Sequence, residues 1–236
     1  MEKLIIASII SFLFTFIGTK YLRSYLEKKK IFDIPIKRSS HTKPIPKGGG
    51  WIIVLCIIGI ISFFEPYDKN PVIISILGLA ILSWFDDLKN INIFGRLFFQ
   101  LFFISFYFIS LHFLGFYEET NLKHLILIII LCAWFINIFN FMDGIDGLAS
   151  LQAIFVFLIF SIFAYFILSD VSLTFVLISI AASVFGFLFF NFPKSVILLG
   201  DVGSCFLGIV IALISVKTSQ ETPELFWCWL ILLGVF

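Results

Sequence analysis

The sequence predicts an all-α fold, a polytopic bundle of transmembrane helices, and three observations support this. Hydrophobic residues make up 61% of the 236 residues, charged residues only 13%, and the mean hydropathy is +1.11. A water-soluble domain cannot hide that much apolar surface, so a bilayer is the expected solvent. The apolar residues also form separate segments with the charged residues between them. We therefore expect a single integral-membrane domain over residues 1–236.

Nine apolar segments are candidate membrane spans, and they lie near residues 4–19, 51–64, 72–85, 97–116, 124–139, 151–168, 172–190, 205–216 and 225–236. A crossing helix needs about 20 apolar residues, so the short second and third segments must extend into their flanks or enter only partway. A charged block follows the first segment, which we expect to be retained and not cleaved. The ninth segment looks cut off at Phe236, which indicates an incomplete copy of a longer chain.

The basic residues predict which side of the membrane each loop occupies. If the spans alternate, loops 20–50, 86–96, 140–150 and 191–204 share one side and carry twelve of the 16 Lys and Arg residues. The other side carries Lys3, Lys69, Lys123 and Lys217. The more basic side is expected to be cytoplasmic, which places the N-terminus outside an inner, cytoplasmic membrane. The net charge of +1 gives no indication of nucleic-acid binding.

Five aspartates fall on the predicted cytoplasmic side, each beside the end of a span. They are Asp86, Asp87, Asp143, Asp146 and Asp201. Separate loops thus deliver carboxylates to one level of the membrane, which favours a shared site. The alternative is chance, because turns favour Asp in any case.

The first of four motifs is RSSHTKPIPKGGGW, residues 38–51, in the first loop. Its prolines stiffen the chain, its glycines allow close backbone approach, and the amides of the helix that follows suit an anion. The residues concerned are Gly48, Gly49 and Gly50, with positive charge from Lys43 and Lys47. The motif indicates either one wall of a phosphate or nucleotide site or a basic anchor with a flexible hinge.

The second motif, SWFDDLKN, ends the third span with Asp86 and Asp87. Adjacent carboxylates cannot both be buried and ionised without a cation or strong donors, because like charges raise one pKa. Such a pair of carboxylates often binds magnesium together with a phosphate, and a solvated turn is the alternative interpretation. Arg96 follows at the start of the fourth span, where it would meet a lipid phosphate or serve as an interface anchor.

The third and fourth motifs add polar groups at two further span ends. In NIFNFMDGIDGLAS, Asn137, Asn140 and Asp143 are spaced by three residues and so share one helix stripe. In LLGDVGSCFLG, Gly200 and Gly203 flank Asp201, and Ser204 is expected to cap the eighth span. A carboxylate beside a helix N-terminus suits a metal–pyrophosphate site, and an ordinary capped helix is the alternative.

Together, the four motifs resemble the polyprenyl-phosphate N-acetylhexosamine-1-phosphate transferase family, glycosyltransferase family 4, over about residues 33–210. The SSH…P.P.GGG form is more similar to the O-antigen-initiating branch than to the peptidoglycan branch. The resemblance implies transfer of N-acetylhexosamine-1-phosphate from a UDP-sugar to a membrane polyprenyl phosphate such as undecaprenyl phosphate. It also implies release of UMP and a magnesium ion, for which manganese could substitute.

The resemblance also implies residue roles. Asp201 and Asn140 would hold the ion, Asp86 and Asp87 would lie at the acceptor phosphate, and Asp143 and Asp146 would shape the nucleotide-sugar pocket. The expected substrate contacts are Arg96, Lys43, Lys47, Gly48, Gly49, Asn137, Gly200, Gly203 and Ser204.

Two points of the resemblance stay open. Members usually carry a His-rich loop after the ninth span, which His41, His112 and His124 do not replace, so part of the nucleotide site is expected to be missing. An acceptor phosphate is largely dianionic near pH 7, so Asp86 need not act as a strong base. We expect it to orient the acceptor or help place the ion, and a covalent aspartyl intermediate is the rival mechanism.

Outside that family, carboxylates at a membrane edge also mark ion-coupled transporters, the alternative function. Transporter sites lie near the bilayer midplane in repeated halves, whereas these aspartates lie at one face and the sequence has no internal repeat. The sequence does not specify an oligomeric state, and a homodimer is compatible with it.

Overall fold

The computed structural model describes residues 2–35, 41–64, 69–89, 91–115 and 121–233. Within them the chain forms nine helices and one two-stranded antiparallel ribbon of β1 (Phe32–Asp33) and β2 (Ile45–Pro46). The helices are α1 (Glu2–Lys29), α2 (Gly50–Phe64), α3 (Lys69–Lys89), α4 (Ile93–Phe113), α5 (Leu122–Met142), α6 (Leu148–Phe166), α7 (Val171–Asn191), α8 (Asp201–Glu221) and α9 (Leu225–Leu233).

Seven of these helices, α1 and α3 to α8, are long and apolar enough to cross a membrane. The predicted all-α bundle is therefore confirmed, while the count of nine spans and the side of the N-terminus stay predictions. The third segment extends into both of its flanks, which is one of the two expected outcomes, and α3 reaches 21 residues. In contrast, α2 has 15 residues and α9 has nine.

The core of the bundle is α8, which is buried along most of its length. It packs against α5, α3 and α2, while α7 packs against α1 and α6. Gly208 allows close contact with α5, because a Cβ atom there would lie 2.7 Å from the Cα atom of Ile136. The outward faces carry exposed aromatic side chains such as Phe94, Phe113 and Phe141, which suits a hydrocarbon surrounding.

Two chain segments far apart in sequence meet at one end of the bundle and bring the starts of α2 and α8 together. Residues 47–50 run beside residues 198–199, where the amides of Gly49 and Gly50 each donate to a carbonyl at 2.9 Å. The amide of Leu198 donates in return to the carbonyl of Pro46 at 2.8 Å. Gly50 and Gly203 then allow the first turns of the two helices to touch. This junction supports the candidate site.

Candidate active site

Polar side chains from five helix ends meet at the α2–α8 junction. Asp86 and Asp87 lie in the last turn of α3, Arg96 in the first turn of α4, and Asp201 at the first position of α8. Asn140 and Asp143 come from the end of α5, and Lys47 lies just before α2. The contacts described below join all of these groups, although Lys47 and Asp201 are 154 residues apart in the chain.

Asp87 is the anionic partner of the α8 N-terminus. Its Oδ1 atom accepts from the amide of Asp201 at 3.0 Å, and its Oδ2 atom accepts from the amide of Val202 at 3.1 Å. The ammonium of Lys47 lies 2.7 Å from Oδ1, and the Asp87 side chain is only 1% exposed. A carboxylate from α3 thus caps a different helix.

The expected cap of α8 by Ser204 is wrong. The helix begins at Asp201, with Gly200 at the N-cap position and no side-chain cap. Ser204 therefore lies inside the first turn, where its Oγ donates to the carbonyl of Gly200 at 3.2 Å and approaches Asn140 Oδ1 at 3.3 Å. Serine often caps a helix, but here Asp87 accepts the hydrogen bonds from the first amides of α8 instead.

Asp86 points to a different partner from its neighbour. Its Oδ1 atom accepts from the amide of Ile91 at 2.6 Å, and its Oδ2 atom lies 3.1 Å from the guanidinium of Arg96. The same nitrogen of Arg96 lies 3.6 Å from Asp201 Oδ2. Arg96 thus bridges the carboxylates at the end of α3 and the start of α8.

The contacts of Asp201 with Lys47 and Arg96 are longer than those of Asp86 and Asp87. Lys47 is 4.0 Å from Oδ1 and Arg96 is 3.6 Å from Oδ2, both longer than ordinary hydrogen bonds. Its side chain is 21% exposed, whereas Asp86 and Asp87 are nearly covered. The side chain of Asp201 is therefore more open to a ligand than those of Asp86 and Asp87.

Burial acts in opposite directions on the pKa of Asp143 and the pKa of Lys47. Burial raises the pKa of Asp143 well above its ordinary value, and the charges of Asp201 and Asp87 raise it further. The charge of Lys47 and the hydrogen bond from the Gly200 amide lower this pKa, but by less. That amide donates to Asp143 Oδ2 at 3.1 Å. Burial lowers the pKa of Lys47, but Asp87 and Asp201 outweigh this and leave the pKa above its ordinary value. Lys47 therefore stays charged, while Asp143 favours a proton or a nearby cation.

Asp146 holds the loop that leads to α8. Its Oδ2 atom accepts from the amide of Ser195 at 3.1 Å. Asn191, at the end of α7, donates to Ser195 Oγ at 3.1 Å and to the carbonyl of Ile197 at 3.2 Å, and accepts from Ser150 at 3.2 Å. Sequence reasoning missed this buried network, although the polar residues of NFPKS directly after an apolar segment were a signal for it.

The glycines of the first loop pair with the segment that precedes α8. The amides of Gly48 and Gly49 both donate to the carbonyl of Leu198, so these two amides are already satisfied, and the predicted substrate contact of the two glycines stays a prediction. Gly48 has φ +108°, and a Cβ atom there would overlap the ring of Trp84. Lys43 is exposed and forms no ion pair with the acidic residues of the described chain.

Asn137 lies one turn deeper than Asn140 and binds between helices. Its Nδ2 atom donates to Gln100 Oε1 at 2.9 Å and to the carbonyl of Ala133 at 2.7 Å. Beside it is a cavity of about 390 Å³. Its lining is mostly apolar and consists of Trp134, Asn137, Ile138, Phe141, Met142, Ile145 and Leu148.

The charges of the site fit a divalent cation. Four carboxylates, those of Asp86, Asp87, Asp143 and Asp201, face two cationic side chains, so the fully ionised cluster carries an excess of two negative charges. Buried charges require compensation, and carboxylate oxygens suit a hard cation. Within the described ranges, no group of three or more His, Cys, Asp and Glu residues could hold an ion by itself.

Magnesium usually keeps several waters and binds one or two carboxylates together with substrate phosphates. Asp201 offers a partly exposed carboxylate. Asn140 lies close by, since the hydroxyl of Ser204 contacts both its Oδ1 atom and the carbonyl of Gly200, the residue before Asp201. A carboxylate oxygen from Asp201 and an amide oxygen from Asn140 are donor types that suit magnesium when a phosphate supplies a further ligand.

Comparison with known proteins gives a consistent result. A family model described as glycosyl transferase family 4 matches residues 70–219. The chain is 27% identical over 240 residues to a probable undecaprenyl-phosphate N-acetylglucosaminyl 1-phosphate transferase of Bacillus subtilis, covering 96% of this chain and 66% of that protein. It is 28% identical over 214 residues to an undecaprenyl-phosphate alpha-N-acetylglucosaminyl 1-phosphate transferase of Thermotoga maritima, covering 86% and 62%. The chain thus spans less than two thirds of the length of these relatives.

Proposed function

The chain belongs to glycosyl transferase family 4, and from this premise we propose that it transfers a sugar phosphate to a membrane polyprenyl phosphate. The donor is a UDP-N-acetylhexosamine, the acceptor is undecaprenyl phosphate, and the products are a polyprenyl-diphospho-sugar and UMP. Such a transfer is the first membrane step in the synthesis of a cell-envelope polysaccharide. The names of both relatives support the acceptor and the N-acetylglucosaminyl phosphate group.

The observation that carries the proposal is the meeting of Asp86, Arg96 and Asp201 at one end of an apolar bundle. Arg96 is the shared neighbour of the two carboxylates and is 33% exposed. A bridging guanidinium of this kind can exchange one carboxylate for a phosphate oxygen, which it binds with similar geometry. A polar site at the helix ends also suits a reaction between a water-soluble donor and a membrane-bound acceptor.

In the proposed reaction, an oxygen of the acceptor phosphate attacks the β-phosphorus of the UDP-sugar. The new bond joins that oxygen to the β-phosphorus, and the bond to the bridging oxygen breaks, so UMP leaves with the electron pair. The dianionic acceptor has no proton that must be removed first. The residues therefore mainly orient the reactants and neutralise charge.

Within this proposal we assign the following residue roles. Arg96 binds the acceptor phosphate, and Asp86 orients Arg96 through the 3.1 Å contact between them. Asp201 and Asn140 would hold the magnesium ion, which would neutralise diphosphate charge. Asp143 and Asp146 lie in the turn that follows α5, and the proposal places the donor beside them.

The apolar cavity beside Asn137 provides a place for the acceptor lipid. Its lining includes the side chains of Phe141 and Ile145, which are 88% and 62% exposed. Phe141 directly follows Asn140 in the chain, so this lining adjoins the polar cluster. A prenyl chain entering from the bilayer would therefore lie next to the site that binds its phosphate.

The decisive experiment measures UMP release by the purified chain in detergent, with undecaprenyl phosphate, Mg²⁺ and a panel of UDP-sugars. We expect release that requires both the acceptor lipid and a UDP-N-acetylhexosamine. Asp170→Asn is a matched control, since it removes a carboxylate that caps α7 at the other end of the bundle. A folded chain that releases no UMP with any donor would refute the proposal and leave the transporter alternative for flux assays.

A further inference from the structure

The carboxylates of Asp86 and Asp87 have different partners in the structure. Building on the proposed transfer reaction, we propose that Asp87 is a positioning residue that fixes the start of α8 and thereby Asp201. Lys47 balances its charge. On this proposal, the two adjacent aspartates divide their work, and only Asp86 stands beside the acceptor phosphate.

The contacts of Asp87 use both of its oxygens within the protein. Oδ1 accepts from the amide of Asp201 and from Lys47, and Oδ2 accepts from the amide of Val202. Gly200 makes room for this, because a Cβ atom there would lie 2.9 Å from Oδ2. With 1% of its side chain exposed, Asp87 has little surface left for a substrate phosphate.

The start of α8 requires a partner of this kind. The first amides of a helix have no acceptor within the helix, and an anion there also complements the helix dipole. Gly200 offers no side-chain cap, so Asp87 takes that part from α3. One of the two amides that it holds is that of Asp201, whose carboxylate is the open ligand of the site.

Lys47 connects this cap to the first loop. Its ammonium lies 2.7 Å from Asp87 and 4.0 Å from Asp201, and its backbone pairs with Leu198. Removing one partner of a largely buried ion pair leaves an uncompensated charge, whereas replacing both partners is often much less harmful. A positioning role therefore predicts that the effects of substitutions at residues 47 and 87 on metal affinity are not additive.

The first measurement tests the cap directly. Hydrogen–deuterium exchange of the peptide covering residues 198–206 is compared among the full-length wild type, Asp87→Asn, Asp86→Asn and Asp170→Asn. We expect exchange at the start of α8 to rise by about tenfold in Asp87→Asn only, because one capping hydrogen bond and the charge are lost. Unchanged exchange in Asp87→Asn would overturn the proposal.

The second measurement tests the effect on Asp201. Binding of Mn²⁺ in the presence of UMP, whose phosphate supplies the missing ligand, is followed by electron paramagnetic resonance and compared for Lys47→Met, Asp87→Asn and the double variant. We expect each single variant to bind Mn²⁺ about tenfold more weakly, and the double variant to recover most of this loss. The asparagine side chain introduced by Asp87→Asn can still accept from one amide, and in the double variant neither charge is left unpaired.

Other results contradict the positioning role. If the double variant binds Mn²⁺ no better than Asp87→Asn, Asp87 acts as a direct ligand and the proposal fails. If Asp87→Asn keeps its Mn²⁺ affinity and instead raises the KM for the acceptor lipid alone, the proposal also fails. Absence of UMP release by the wild type would refute the proposed function, while hydrogen exchange at residues 201 and 202 would still decide the role of Asp87.

Discussion

Asp86 and Asp87 are neighbours in the chain, yet their carboxylates face different partners. Successive residues on a helix point about 100° apart, so one of them turns to α4 and the other to α8. The sequence could predict that two adjacent acids need compensation, but it could not predict which partner each would take. That choice depends on the packing of α3 against both helices, which brings together residues over 100 positions apart.

At the residue scale, we expect Asp201→Asn to lower kcat by about 10²- to 10³-fold, because an electrostatic contact to the transferred group is lost. The rate of UMP release at saturating substrates, measured across Mg²⁺ concentrations, checks this prediction. The apparent Mg²⁺ requirement should rise in the same variant. Asp170→Asn, matched in chemistry and remote from the site, should behave as the wild type. A near-normal rate in Asp201→Asn would remove this residue from the metal site.

Arg96 offers a second test at the residue scale. Arg96→Lys keeps the charge but loses the planar fork that can reach two oxygen partners together. We expect kcat/KM for the acceptor lipid to fall about tenfold, or about 1.4 kcal/mol, with little change in the KM for the UDP-sugar. Steady-state kinetics with each substrate varied in turn checks this. An equal effect on both substrates would contradict a specific contact with the acceptor phosphate.

At the scale of elements, long helices were more predictable than the contacts at their ends. Apolar length alone located α1 and α3 to α8, because crossing a bilayer imposes it. The use of Gly48 and Gly49 could not be predicted, since their amides bind Leu198, a partner about 150 residues later. A glycine-rich helix start looks the same in sequence whether its amides meet an anion or another backbone.

The junction of α2 and α8 gives a prediction for two glycines of one helix. A Cβ atom at Gly50 would overlap the backbone of Gly203, whereas one at Gly59 would meet nothing within 4 Å. We expect Gly50→Ala to destabilise the protein by about 1–3 kcal/mol through overpacking. Gly59→Ala should be neutral or stabilising by up to about 1 kcal/mol, because alanine favours the helix. Thermal unfolding of both variants in the same detergent checks this, and equal unfolding temperatures would contradict the close contact.

At the scale of the whole molecule, the site residues lie at one end of a multi-pass bundle, and the basic loops predict that this end is cytoplasmic. Two exposed lysines mark the opposite ends of the bundle. Lys43 lies in the loop before the α2–α8 junction, and Lys123 lies in the first turn of α5, whose other end contributes Asn140. A UDP-sugar is made in the cytoplasm, so the proposed function requires Lys43 on that side.

Single cysteines at these positions test the orientation. Cys56, Cys132 and Cys205 are buried, so a Cys228→Ser background leaves little competing reaction. We expect Lys123→Cys to react with a membrane-impermeant maleimide in intact cells, and Lys43→Cys to react only in inverted vesicles or after permeabilisation. Denatured samples labelled in parallel control for expression and thiol integrity. Labelling of Lys43→Cys in intact cells would place the carboxylate cluster outside. That location would contradict both the cytoplasmic source of the donor and the orientation that the basic loops predict.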